Sequence, residues 1–308
     1  MSFHGVMRPG HVQLRVLDLE EAKRHYEHVL GLDHTADGAD GRTYYKAWDE
    51  IDRHSVVLRQ ADDAGMDHMA FKVSSVDDLA RFEKNLEKSG IKVDRVSKGE
   101  QPGTGERIGF MTPTGHRFEL YAEKEKLGNG MPDVNPDVWP DGLRGMKATR
   151  LDHCLLYGDD VEGSMDVFIN ALGFHLAERV IAGDGKTVLA AFLSCSNKPH
   201  DVAFVKSPEK NRFHHASFYL DDWSAIQHAA DVIARKNVAL DIGPTRHGIT
   251  RGLTIYFFDP SGNRNEVFAG GYIYYPDRPT LTWTEDQIGK AIFYYERCLN
   301  ERFMSVTT

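Results

Sequence analysis

The feature that most constrains the fold is a layout that recurs four times along the chain. Each copy has a β-prone run starting at or near a histidine, an amphipathic helical stretch, and further β-prone runs. The first opens at His11-Val12-Gln13-Leu14-Arg15-Val16, and Asp18 followed by Glu21 is a capping-box variant at the start of its helix. That helix carries Leu19, Ala22, Tyr26 and Val29 near one face and stops at Gly31. The second opens at His68, starts its helix at Ser75 with Asp78, presents Leu79, Phe82 and Leu86, and stops at Gly90. The third opens at His153, presents Met165, Phe168, Ile169 and Leu172, and stops at Gly173. The fourth opens at His215 and presents Trp223, Ile226, Ala230 and Ile233. Closing strands are predicted at residues 55–59, 117–121, 202–205 and 265–268, which makes each copy a βαβββ module.

Between the second and third copies, residues 124–147 hold Gly128, Gly130, Pro132, Pro136, Pro140, Gly142 and Gly145 and read as a linker. The expected architecture is α+β, with four βαβββ modules paired into two domains. Those are residues 1–123, with no working site, and residues 148–271, with a tail and helix over 272–308. At 308 residues the chain is long enough to bury two cores. Thr284 with Gln287 reads as a capping box for a tail helix with Ile288, Ala291, Ile292, Tyr295 and Leu299 on one face.

A net charge of −9 argues against a general nucleic-acid binder, which must neutralise phosphates. No run approaches 18 apolar residues, and the opening Met1-Ser2-Phe3-His4 stretch lacks a signal-peptide core, so no membrane is expected. Cys154, Cys195 and Cys298 form no close pair, and the reading is a reduced, cytoplasmic protein.

Duplication makes one half a control for the other. Pro113-x-Gly115-x3-Glu119 matches Pro260-x-Gly262-x3-Glu266 in spacing. His11, His68 and Glu119 therefore correspond to His153, His215 and Glu266, and His54 to His200. The correspondence fails where Tyr256 faces Gly109 and His247 faces Glu100, so only the second half has the full set. Strand alternation puts His153 on the side of Leu155 and away from Cys154, and separates His214 from His215, with His215 inward. Any one of these histidines alone reads as structural or solvated. Two imidazoles and a carboxylate at equivalent repeat positions read as a three-point metal site with open positions, the facial pattern of non-haem Fe(II) oxygenases. Zinc takes the same ligand set. The first-half trio reads as a relic filled by side chains, or else as a weak second metal site.

The segment His247-x7-Ile255-Tyr256-x2-Asp259-Pro260-x-Gly262-x3-Glu266 resembles the signature of extradiol ring-cleaving dioxygenases of the vicinal oxygen chelate superfamily. The likeness covers essentially the whole chain and is strongest to the catechol 2,3-dioxygenase (metapyrocatechase) type, including Asp241-Ile-Gly-Pro-Thr-Arg-His247-Gly and Lys290-Ala-Ile-Phe-Tyr. It implies one Fe(II) per chain on His153, His215 and Glu266, with His200, His247 and Tyr256 as acid–base residues. It further implies a substrate pocket with Ile249, Ile292 and Phe303, a tail that closes over it, and a homotetramer. The implied reaction is cleavage of catechol, or of alkyl- or chlorocatechols, by O2 to 2-hydroxymuconate semialdehyde. Glyoxalase-like isomerases and metal-free ligand-binding proteins share the superfamily, and manganese suits the ligand set as well as iron.

Overall fold

The computed structural model describes residues 4–308, so Met1, Ser2 and Phe3 of the expected first unit lie outside the described residues. Module 1 contains β1 (Val6–Val16), α1 (Leu19–His25), β2 (Asp33–Asp37), β3 (Thr43–Lys46) and β4 (Val56–Gln60). Module 2 contains β5 (Gly65–Val73), α2 (Val76–Lys88), β6 (Val93–Val96), β7 (Arg107–Met111) and β8 (Arg117–Tyr121). Module 3 contains β9 (Arg150–Gly158), α3 (Val161–Asp166), β10 (His175–Ile181), β11 (Val188–Ser194) and β12 (Val202–Lys206). Module 4 contains β13 (Arg212–Tyr219), α4 (Trp223–Arg235), β14 (Leu240–Arg246), β15 (Gly252–Phe258) and β16 (Arg264–Gly270). Thus the α+β reading and the fourfold βαβββ repeat both hold.

Local chemistry starts each of these helices in the same way. A side-chain oxygen of Asp18, Ser75, Asp160 or Asp222 accepts the backbone N–H three residues on, at 2.8–3.0 Å. That bond satisfies one of the amides that the first helical turn leaves without a partner. The sequence marked the first two caps and not the last two. In module 4 the helix buries Ile226, Ala229 and Ile233, whereas Trp223, expected on the same face, is 37% exposed at the first turn.

Two sheets result. One has the order β2-β3-β4-β1-β5-β8-β7-β6, and the other the order β14-β15-β16-β13-β9-β12-β11-β10 with β17 (Leu281–Thr284) added at the edge. In each, the opening strands of the two modules pair antiparallel at the centre, and each module's closing strand lies parallel to its own opening strand. A single apolar core runs through both halves. Phe168 lies at its middle, with ring centroids 5.0 Å from Phe118, 5.4 Å from Phe204 and 4.9 Å from Phe174.

The tail departs from its expected form. The helix opened near Thr284 is only α5 (Ile288–Ile292), and a second short helix, α6 (Glu301–Ser305), follows. Thr284 makes no capping bond at the helical turn that follows it. The break has a tertiary cause: the Tyr294 N–H donates to the Arg246 carbonyl at 2.7 Å, and Phe293 turns fully inward against Phe303. Tyr295 and Leu299 consequently stand 57% and 42% exposed instead of sharing a buried face.

Phe168→Ala should cost about 3–5 kcal/mol of unfolding free energy, the range for truncating a buried aromatic ring. Denaturant titration checks this, and metal content per folded chain should be unchanged.

Candidate metal centre

Register alone brings the second-half trio together. Ser217 on β13 pairs with His153 of β9 on one side and with Glu266 of β16 on the other. His215 lies two residues from Ser217 on the same strand, so its side chain shares that face. The same pattern recurs in the first half, where Ala70 lies between His11 and Glu119 with His68 two residues away. Each trio brings one ligand atom per residue within 4.8 Å of the others.

In the second half, Glu266 Oε2 lies 3.0 Å from His153 Nε2 and 3.4 Å from His215 Nε2, and the two Nε2 atoms are 3.4 Å apart. All three residues are buried. His153 Nδ1 donates to Asp152 Oδ2 at 2.9 Å, which leaves its Nε2 as a lone pair facing the centre. Glu266 Oε1 accepts from Thr254 Oγ1 at 2.5 Å, but Oε2 is buried with no hydrogen-bond donor. Acceptor atoms that converge in a dry site repel one another unless a cation lies between them, so the residues fit a divalent metal. Burial opposes ionisation of Glu266, yet positive charge on His153 and the neighbouring imidazoles, in the place a metal cation would take, holds its carboxyl well below the usual range. Burial brings His215 down to about 4, against the pull of Glu266.

A cavity of about 190 Å³ opens on this centre. All nine residues expected at the site line it: His153, His200, His215, His247, Ile249, Tyr256, Glu266, Ile292 and Phe303. The His247 Nδ1–H donates to the Ile292 carbonyl, so Nε2 accepts from the Tyr256 hydroxyl at 2.8 Å. The His200 ring centroid is 4.0 Å from that of His153, and burial, then His153, holds its imidazole well below the ordinary pKa.

One expectation fails. His214 does not point away from His215, because a bulge between Phe213 and His215 turns both rings toward the same cavity. Asp152 and Thr254 were also missed as partners of the ligands. Both sit at offsets that the duplication could have exposed, since their first-half counterparts are Gly10 and Arg107.

Those counterparts change the first-half site. Arg107 Nε donates to Glu119 Oε2 at 2.6 Å, placing a fixed guanidinium on the carboxylate. The two imidazoles bond each other, His11 Nε2 to His68 Nε2, at 3.0 Å, and Lys124 Nζ lies 3.1 Å from His11 Nδ1. A Cβ at Gly10 would meet the Tyr121 hydroxyl at 2.4 Å, so no carboxylate can stand where Asp152 does. Arg107 and Lys124 thus crowd this trio, whose ligand atoms nevertheless converge as those of the second half do.

Paired βαβββ modules around a His-His-Glu centre define the glyoxalase/bleomycin resistance protein/dioxygenase class of proteins. Residues 150–267 match the model of that superfamily, and residues 66–125 match a catechol 2,3-dioxygenase-like N-terminal domain. The chain is 54% identical over 305 residues to a metapyrocatechase of Pseudomonas sp. (strain CF600), covering 99% of each chain. It is 28% identical to a manganese-dependent 2,3-dihydroxybiphenyl 1,2-dioxygenase of Geobacillus genomosp. 3, over 93% of this chain and 92% of that one. Among solved structures, the 2,3-dioxygenase LapB from Pseudomonas sp. KL28 superposes with a TM-score of 0.90 at 48% identity, covering 92% of this chain and 99% of that one. The chain belongs to the catechol 2,3-dioxygenase family of extradiol dioxygenases.

Asp152→Asn should weaken Fe(II) binding about 10–100-fold while leaving the fold intact, as loss of a ligand's outer partner generally does. Anaerobic equilibrium dialysis measures this. The same measurement on the unaltered protein should give one metal per chain, and a ratio near two would contradict the filled first-half site.

Proposed function

We propose that the protein is an Fe(II)-dependent extradiol dioxygenase that cleaves catechol, and alkyl- or chlorocatechols, with O2 to 2-hydroxymuconate semialdehyde. The observation that carries this reading is the donorless Glu266 Oε2 facing two histidine Nε2 atoms at the floor of a mostly apolar cavity. In this reading His153, His215 and Glu266 hold one ferrous ion. Bound there, the ion supplies Lewis acidity that favours the catecholate form, and redox chemistry that lets O2 react with the ring.

The chain's own residues do the rest. His247 and Tyr256 already share a hydrogen bond at 2.8 Å, and that pair can turn to the two substrate oxygens and fix the ring's orientation. His247 is held by the Ile292 carbonyl, so its Nε2 faces the substrate as a proton acceptor. Neutral because it is buried, His200 can accept and return a proton at a ring nitrogen as charge develops beside His153. Ile249, Ile292 and Phe303 form apolar wall for the ring and exclude water.

The catalytic unit in this reading is residues 148–271, with 272–308 as its cover and 1–123 as a partner domain without a site. A homotetramer is part of the proposal, supported by exposed Val134, Val138, Trp139, Ile273, Tyr275 and Tyr295 on the linker and tail. So is a cytoplasmic setting, supported by three free cysteines. No helix among the described residues is long and apolar enough to cross a membrane.

Anaerobic loading with Fe(II), then catechol and air, should give a yellow product. Turnover of the methylglyoxal–glutathione adduct without that product would favour an isomerase instead. Chelation should abolish the activity, and Fe(II) should restore it. Tyr256→Phe should lower kcat about 10²–10³-fold with metal content unchanged, the effect of removing one placed donor.

A further inference from the structure

The bulged His214 links the tail to the metal centre through an unbroken chain of polar atoms. The Phe303 carbonyl oxygen can only accept, and His214 Nε2 lies 2.8 Å from it, so the proton of the neutral ring is on Nε2. His214 Nδ1 is then a lone pair. It lies 2.7 Å from His215 Nδ1, so that nitrogen must carry a proton and donate. This leaves His215 Nε2 as a lone pair directed at Glu266 Oε2 and His153 Nε2. With the proton of His215 on Nε2 instead, lone pairs would face each other either between the two rings or between His214 and Phe303.

The rings have little room to escape that constraint. His214 is buried, stacked on Tyr157 at 4.9 Å and edge-on to Phe303 at 4.7 Å. The tail is fastened beside it by a pair of backbone bonds between Thr308 and Phe213, at 2.7 and 2.9 Å. Phe303 thus has two roles: its ring closes the cavity against Tyr256, and its carbonyl starts the relay. In the first half the counterpart of His214 is Asp67, taken up by Arg59 and Gln13, so the relay belongs to the half that carries the tail.

We propose that His214 is a positioning residue that couples docking of the tail at α6 to the metal-ready tautomer of His215, so that metal binding closes the cavity and closure favours the metal. Coupling of this kind is reciprocal. The proposal rests on His215 being a metal ligand. It is tested by hydrogen exchange of the full chain, with and without Co(II) or Fe(II) under anaerobic conditions, alongside metal content. Metal should slow exchange at residues 303–306 on the order of tenfold, with α2 as an unaffected reference. His214→Phe keeps a ring without its nitrogens and should abolish that response and weaken metal binding about 10–100-fold. His214→Asn keeps an acceptor near Nδ1, so it should bind metal within about threefold of the unaltered protein, yet lose the tail's response. Tail exchange indifferent to metal bound at one per chain would overturn the coupling alone. Failure to bind metal at all would overturn the ligand assignment, and the coupling with it.

Discussion

Three ligand atoms pointed at one another in a buried site are in electrostatic conflict unless positive charge, a proton or a metal cation, stands between them. His153 Nε2, His215 Nε2 and Glu266 Oε2 lie within 3.4 Å of one another, and the last has no donor. Nearly every feature around them serves to hold that conflict in place. Ser217 pairs with strands on both sides, so the ligands sit on three neighbouring strands that cannot slip without moving every other side chain to the opposite face. Asp152 and the bulged His214 each take the outer nitrogen of one histidine and leave the inner one free. Thr254 takes the outer oxygen of Glu266. Asp152, His214 and Thr254 thus occupy the outer atoms of the three ligands, and the inner atoms face one another.

The first half surrounds the same geometry with different partners. Its ligand trio is intact, and its register across Ala70 is the same. Its neighbours differ. Arg107 stands where Thr254 would donate a hydroxyl, and Lys124 stands where the second half has Gly271. A guanidinium 2.6 Å from Glu119 satisfies the carboxylate without any ion. A metal ion entering there would compete with the guanidinium already on the carboxylate. Retention of His11, His68 and Glu119 is therefore compatible with a purely structural function for that half.

This contrast also explains what was legible in the sequence. Repeat spacing, helix caps and the Asp259-Pro260 turn are local, so the four modules and the ligand trio could be read directly from the chain. Comparing halves then picked out His247 and Tyr256, because the first half lacks them. Features that depend on a third segment were not legible. Whether His214 faced in or out hung on a bulge that strand alternation cannot anticipate. The tail's apolar residues matched a helical period, yet the chain breaks after Ile292 because Tyr294 finds the Arg246 carbonyl and Phe293 finds the cavity wall. Tertiary partners outweighed a weak local preference.

The shape of the cavity places one further limit on chemistry. Beside the ligand trio its lining is mostly apolar and includes Leu155, Val180, Phe192, Ile249, Ile292 and Phe303. A flat ring with two oxygens on one edge meets both requirements, whereas a ligand polar all round would leave buried groups without partners. The ligand atoms themselves do not choose between iron and manganese, since both accept this set. Discrimination between such metals has to come from what surrounds the ligands. Here that layer is highly charged: the Asp152 carboxylate that orients His153 is itself held by Lys198 at 3.3 Å, and Lys198 by Asp201 at 3.0 Å. A half-buried lysine behind the carboxylate draws electron density from it and so tempers the basicity that Asp152 lends to His153. That network, next to the ligands, is the layer through which the protein can tune a metal held there.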